Sequence, residues 1–233
     1  MGHLYDTHFH LDLHKDRGAA IHEIEEQQIY TIAVTNLPDL YIRESGRIAS
    51  KYIRLALGFH PELIPQYRNQ IPLMWEFLPD VRYIGEVGLD FVDTTYKKEQ
   101  IAFFSELIDR CRFDRNKIMT IHSRRAVRQV LDIVGNNFRF KPILHWFTGN
   151  KKELYDAIDA GFYFSINEAM MTSRNFLSLL PSIPKERLLL ETDSPFVSSL
   201  HSHFNALNRI KCFLENEKSD VNIWDNFNTI LKS

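Results

Sequence analysis

Cysteine is almost absent from this 233-residue chain. Cys111 and Cys212 stand far apart with no Cys-x-x-Cys spacing, which argues against a disulfide framework and a thiolate zinc site. Long apolar runs are missing as well, so no segment approaches membrane-spanning length. Met1-Gly2-His3-Leu4-Tyr5-Asp6 lacks the basic region and apolar stretch of a signal peptide, and the expectation is a soluble protein of the reducing cytoplasm with no membrane contact. Nor does one sign of charge dominate: 28 Lys and Arg face 30 Asp and Glu, a formal net charge of -2. Any affinity for nucleic acid must therefore come from a local cluster of cations. No linker, repeat or low-complexity tract interrupts the chain, which reads as one domain over residues 1–233. A chain of this length buries roughly 70 to 75% of its unfolded surface in a single core.

What is present in quantity is histidine, ten in all. Neutral imidazole is the commonest metal ligand, so their placement along the chain decides their meaning. Short β-rich runs alternate with amphipathic stretches from end to end, the pattern of repeated βα units around a parallel sheet. The expected strands are Leu4 to Phe9, Tyr30 to Thr35, Ile53 to Phe59, Tyr83 to Val87, Ile118 to His122, Pro142 to Trp146, Phe162 to Ile166 and Leu188 to Thr192. Most are apolar on both faces, as when one face lines a barrel and the other packs on helices. The clearest helix is Tyr96 to Phe113, where Ile101, Phe104, Leu107, Ile108 and Cys111 recur at spacings of three and four. Phe204 to Glu215 and Val221 to Leu231 read as terminal helices, and the proline-rich segment from Pro61 to Pro79 is the least regular. Eight such units predict an α/β fold, a single-domain (β/α)8 TIM barrel.

In that fold the active site lies at the C-terminal strand ends. Strand one ends in Asp6-Thr7-His8-Phe9-His10, and alternation along a strand points His8 and His10 the same way, with Asp6 and Asp12 placed to support them. Strand four offers Glu86 between Gly85 and Gly88, strand five His122, strand six His145, and strand eight Asp193 with Glu191 two residues earlier. Each is ordinary by itself: a lone histidine ending an apolar strand is usually a hydrogen-bonded core residue. Five of eight strands ending in a possible ligand is a different matter. The set suits two divalent ions, Zn, Mn, Fe or Mg. His8, His10 and Asp193 are expected to hold one and His122 and His145 the other. Glu86 would bridge them, and Asp193 would orient or deprotonate a water made acidic between them. His60, in Gly58-Phe59-His60-Pro61-Glu62, faces the same mouth and is expected to meet substrate as a protonated imidazole that stabilises charge.

These motifs, Asp6-Thr7-His8-Phe9-His10-Leu11, Gly58-Phe59-His60-Pro61, Gly85-Glu86-Val87-Gly88-Leu89-Asp90, Ile121-His122-Ser123-Arg124, His145-Trp146-Phe147-Thr148-Gly149 and Glu191-Thr192-Asp193-Ser194-Pro195, resemble those of the TatD family of metal-dependent nucleases, in order and along most of the chain. The resemblance implies a TIM barrel and hydrolysis of phosphodiesters, typically as a DNase with 3′-to-5′ exonuclease action on strand ends or single strands, sometimes on RNA. It puts the metal positions on His8, His10, Glu86, His122, His145 and Asp193. Ala33-Val34-Thr35-Asn36, the short chain and Leu57-Gly58-Phe59-His60-Pro61-Glu62 are more similar to the TatD-like member of Qat antiphage defence systems, which implies an antiviral role and protein partners from a defence operon.

One departure concerns substrate. TatD nucleases usually carry a basic loop after strand eight, whereas Phe196 to Phe204 contains no Arg or Lys. Its His201 and His203 read as surface residues. Arg124 and Arg125 become the expected phosphate clamp, since a guanidinium fork binds two oxygens at once. Trp146 and Phe91 are the aromatic candidates for stacking a base, with buried packing the ordinary role of Trp146. Two other readings stay open: the same metal site acting on a C–N or C–O bond of a small molecule, as in amidohydrolases, and a defence-complex subunit whose activity depends on partners.

Overall fold

The computed structural model describes residues 3–197 and 202–232. Eight parallel strands alternate with helices: β1 (Tyr5–Phe9), α1 (Arg17–Glu26), β2 (Tyr30–Ala33), α2 (Pro38–Ser45), β3 (Ile53–Leu55), α3 (Ile71–Phe77), β4 (Tyr83–Gly88), α4 (Lys97–Cys111), β5 (Ile118–His122), α5 (Val127–Val134), β6 (Lys141–His145), α6 (Lys151–Ala160), β7 (Tyr163–Ile166), α7 (Arg174–Leu179), β8 (Leu188–Leu190), then α8 (His203–Glu217) and α9 (Ile223–Lys232). The ladders run β1-β2-β3 and β4-β5-β6-β7-β8. Together they form the expected (β/α)8 barrel, closed by two seams where the regular ladders are interrupted.

At the first seam, Thr35 ties three strands together. Its N–H donates to the Gly85 carbonyl and its own carbonyl accepts from Glu86 N–H, both at 3.1 Å, while its hydroxyl accepts from Gly58 N–H. A Cβ on Gly58 would sit 1.7 Å from the Thr35 carbonyl oxygen, so only glycine lets the chains approach this closely. At the second seam, Asp193 N–H donates to the His8 carbonyl and His10 N–H to that of Ser194, each at 3.0 Å. Closure of the barrel thus fixes the backbones of Glu86 and Asp193 directly.

Several ladders stop short of the expected ends. β2 ends at Ala33, β3 at Leu55 and β8 at Leu190, because Thr35, Gly58 and Thr192 bond across seams or to side chains. The helix expected from Tyr96 to Phe113 spans Lys97–Cys111, with Phe104, Leu107, Ile108 and Cys111 buried as predicted. Buried Gln100 on the same helix accepts from Asp90 N–H through its side-chain oxygen at 2.9 Å and so anchors the loop after β4. The proline-rich stretch forms two short 3-10 turns before α3.

Candidate metal centre

Six side chains from five strand ends converge at the C-terminal mouth: His8 and His10 from β1, Glu86 from β4, His122 from β5, His145 from β6 and Asp193 beyond β8. The structure brings every expected ligand together. They also sort into two sets on opposite sides of one carboxylate. His8 Nε2 lies 3.2 Å from His10 Nε2, 3.6 Å from Glu86 Oε2 and 3.7 Å from Asp193 Oδ1. His10 Nε2 lies 3.4 Å from Glu86 Oε2 and 3.2 Å from Asp193 Oδ1. The other oxygen, Glu86 Oε1, lies 2.6 Å from His122 Nδ1 and 2.9 Å from His145 Nε2, and those two nitrogens are 3.2 Å apart.

This spacing tests whether an ion fits. Nitrogen and oxygen ligands about 2.0–2.2 Å from a tetrahedral ion stand about 3.3–3.6 Å from one another. The separations of 3.2 to 3.7 Å in the first set match that shell. Four lone-pair donors buried so close together repel unless protons or a cation come between them. Where no cation is bound, ring protons take that place. Burial lowers the His10, His122 and His145 pKa values, but Glu86 and the neighbouring carboxylates outweigh it and raise all three, His145 strongly. Burial raises Glu86, yet His60, His122 and His145 hold it well below the usual carboxylate range. Asp193 is likewise lowered against its burial, first by its bond to His10. His8 moves the other way, lowered by burial and by His145.

Outer contacts aim the rings. His8 Nδ1 meets Thr120 Oγ1 at 2.7 Å, and His122 Nε2 meets Asp90 Oδ2 at 2.8 Å, which turns Nδ1 of His122 inward. His145 Nδ1 stands 3.7 Å from Glu191 Oε1, beyond hydrogen-bond reach, so Glu191 acts on it through charge alone. Glu191 itself is held by Ser165 Oγ, Asn167 Nδ2 and Trp146 N–H. Three residues at the mouth, Asp193, Trp146 and Arg125, have φ of 49°, 41° and 54°, backbone strain concentrated where ligands and lining are aimed.

Other expectations need correction. His60 is not a protonated imidazole: burial pushes its pKa down to about 4. Its Nδ1 accepts from Glu62 N–H, so the single ring proton sits on Nε2, 3.7 Å from Glu86 Oε1. Asp6 does not touch either ligand ring. It accepts from the backbone N–H of His8 and Thr192 and from His203 Nε2, fixing both seam strands. His203 is therefore a buried structural residue and not a surface one, while His201 lies outside the described residues. The Asp12 carboxylate is buried with no hydrogen-bond partner among the described residues.

A cavity of about 510 Å³ opens over the two donor sets, lined by His60, Arg124, Trp146, Thr148 and Phe196 besides the ligands. Arg124 faces this cavity; Arg125 lines an adjoining one with Lys97, Phe91 and Thr148. Phe91 is buried beneath Lys97, whose ammonium lies 4.3 Å from its ring centre. The aromatic best placed to meet a substrate is Phe196, 64% exposed and perpendicular to the His10 ring, a residue that sequence reading passed over in the loop lacking cations. Asp90 was also missed as the partner of His122. Its position four residues after Glu86, past the bend at Gly88, was the available signal.

A family model described as TatD related DNase matches residues 5–221. An uncharacterized metal-dependent hydrolase of Buchnera aphidicola subsp. Acyrthosiphon pisum is 38% identical over 220 residues, covering 84% of this chain and 82% of the relative. The 3'-5' ssDNA/RNA exonuclease TatD of Citrobacter koseri is 36% identical over 167 residues, 66% of this chain and 64% of that protein. Among solved structures, the TatD homologue YJJV from Escherichia coli K12 superposes with a TM-score of 0.77 at 17% identity, covering 98% of this chain and 95% of that one, a likeness of fold.

Proposed function

Because the chain belongs to the TatD family and is a metal-dependent hydrolase, we propose that it cleaves phosphodiester bonds in nucleic acid, working on strand ends or single strands. The observation that carries this reading is the division of labour on Glu86. One carboxylate oxygen faces the His8, His10 and Asp193 donors and the other faces His122 and His145, beneath a cavity flanked by the exposed Arg124. In this reading His8, His10, Asp193 and Glu86 hold one divalent ion, and Glu86, His122 and His145 hold a second, each Zn, Mn, Fe or Mg. Bound there, such ions would acidify a water and withdraw charge from a phosphoryl oxygen.

The protein's own groups then have defined tasks. Asp193, kept ionised by its histidines, accepts a hydrogen from the attacking water and so aims it. Neutral His60 presents its Nε2–H to a phosphoryl oxygen as a hydrogen-bond donor, without contributing a charge. Arg124 clamps a non-bridging oxygen with its fork. Phe196 and half-exposed Trp146 flank the terminal base. A cavity of about 510 Å³ is too small for a duplex and suits an unpaired end. Beside it, Arg125 and Lys97, neither paired with a carboxylate among the described residues, continue the positive lining on one side only, toward α5.

End-labelled single strands, duplexes and bis(p-nitrophenyl) phosphate, incubated with protein loaded with each metal in turn, test the proposal. Stepwise shortening of the single strand is the expected result. The lack of Arg and Lys from Phe196 to Phe204 favours the competing small-molecule reading, and turnover of amides or lactones with none of any phosphodiester would establish it. The finer likeness to a defence-system nuclease rests on Leu57-Gly58-Phe59-His60-Pro61-Glu62 and the short chain. It predicts that plating efficiency of phage falls when the gene is expressed with its operon neighbours and recovers in the Glu86→Ala variant.

A further inference from the structure

At the opposite end of the barrel, below the starts of β6, β7 and β8, lies a second cavity of about 450 Å³, lined by Arg115, Phe138, Arg139, Lys141, Tyr163 and Arg187 among others. No Asp or Glu lines it, and none of its four cations forms an ion pair among the described residues. In a chain of net charge -2, four uncompensated cations facing one hollow are an unfavourable arrangement left to itself.

These cations come from three stretches of chain, Arg139 and Lys141 sharing one. Lys141 opens β6, four residues before His145, and by strand alternation takes the same inner face. Arg187 ends a 3-10 turn, Lys185–Arg187, immediately before β8. Arg187 is also held in place: its Nη1 donates to the Gly161 carbonyl at 2.9 Å, and its guanidinium lies 4.8 Å from the Tyr163 ring centre. Arg115 follows α4, and Arg139 lies in the connection to β6, both exposed at the rim. Burial, then the charges of Arg187 and Arg115, lowers the Lys141 pKa. The cluster therefore repels itself, and nothing in the fold requires it: the floor of such a barrel ordinarily carries packing residues.

We propose that this floor cavity is a binding site for a terminal polyphosphate, the di- or triphosphate of a nucleotide. Its phosphates meet Arg115, Arg139, Lys141 and Arg187, and its base lies against Phe138. Multiple negative charge on one small group matches four converging cations, and guanidinium forks suit phosphate oxygens. The volume lies within the range of small-molecule pockets. Buried Phe140 and Tyr163 form the base of the hollow. The site is independent of the nuclease reading.

Calorimetric titration of the full-length, metal-free protein with pyrophosphate, ADP, adenosine and hexathymidylate provides the test. Pyrophosphate and ADP should each bind once per chain, adenosine not at all. Asp193→Asn should leave that affinity within about twofold, whereas R115E/R139E should weaken it by at least roughly 30-fold. Both arginines are exposed, and a melting curve checks that the double variant is folded; Lys141→Ala, a milder change, should cost about tenfold. Unaltered binding in R115E/R139E, or loss confined to Asp193→Asn, would put the anion at the metal centre and overturn the proposal. So would tighter binding of hexathymidylate than of ADP, or no binding of either phosphate.

Discussion

The two halves of the metal centre share a carboxylate but differ in almost everything else. Around His8, His10 and Asp193 every side chain is nearly inaccessible, four donors stand 3.2 to 3.7 Å apart, and both strand backbones are pinned by a barrel seam. Around His122 and His145 there are three donors, His122 is partly exposed, and the free side opens toward His60 and the cavity. A closed shell holds an ion; an open one leaves room for a reactant. The tight half is therefore suited to retaining an ion, with Asp193 reaching the cavity from its edge, and the open half to receiving the reactant.

That contrast can be broken first at its hinge. Glu86→Ala removes a ligand from both halves and should lower kcat/KM by at least roughly a thousandfold, with bound metal falling to less than one ion per chain by atomic emission. His8→Ala and Asp193→Asn strike the tight half and should each cost roughly a hundredfold or more. His122→Ala should cost about as much in turnover yet keep one ion, so the metal-to-protein ratio, not the rate, separates the halves. Equal metal loss in His8→Ala and His122→Ala would erase the distinction. Asp90→Asn acts through His122, and roughly ten- to hundredfold is expected, appearing in the affinity of the weaker ion.

Removing metal sharpens the comparison from another side. His10, His122 and His145 have pKa values raised in the folded protein, so in the metal-free form they stabilise it fully below about pH 6.5, and that contribution is lost as pH rises through the folded values. His8 and His60 are lowered and have the opposite sign, but above about pH 7.5 both are neutral folded and unfolded and add no slope. The metal-free protein should therefore melt several degrees lower at pH 9 than at pH 7.5. With ions bound, the rings are neutral ligands and the same interval should be nearly flat. Phe196→Ala is the gentlest probe: KM for an oligonucleotide should rise about three- to tenfold while kcat on a small diester holds.

The convergence of the candidate ligands was legible in the sequence because each lies at or just past the end of a short apolar strand, and a parallel barrel gathers strand ends at one mouth. Strand lengths were less so. Thr35, Gly58 and Thr192 continue extended chain, but their bonds cross the seams, and pairing between distant strands leaves no local mark. His203 was misplaced for the same reason: its partner Asp6 is 197 residues away. The charge state of His60 depends on its burial, which composition does not reveal. The basic floor cavity was invisible because Arg115, the pair Arg139 and Lys141, and Arg187 are brought together only by the fold, each unremarkable in its own stretch.

The central claim is that one carboxylate divides two ion sites. Crystals grown with manganese or zinc and measured at the absorption edge of that metal test it most directly. Two anomalous peaks per chain are predicted, one against each oxygen of Glu86, with the peak beside His8 and His10 the fuller. A single peak away from Glu86, or none at saturating metal, would contradict the account.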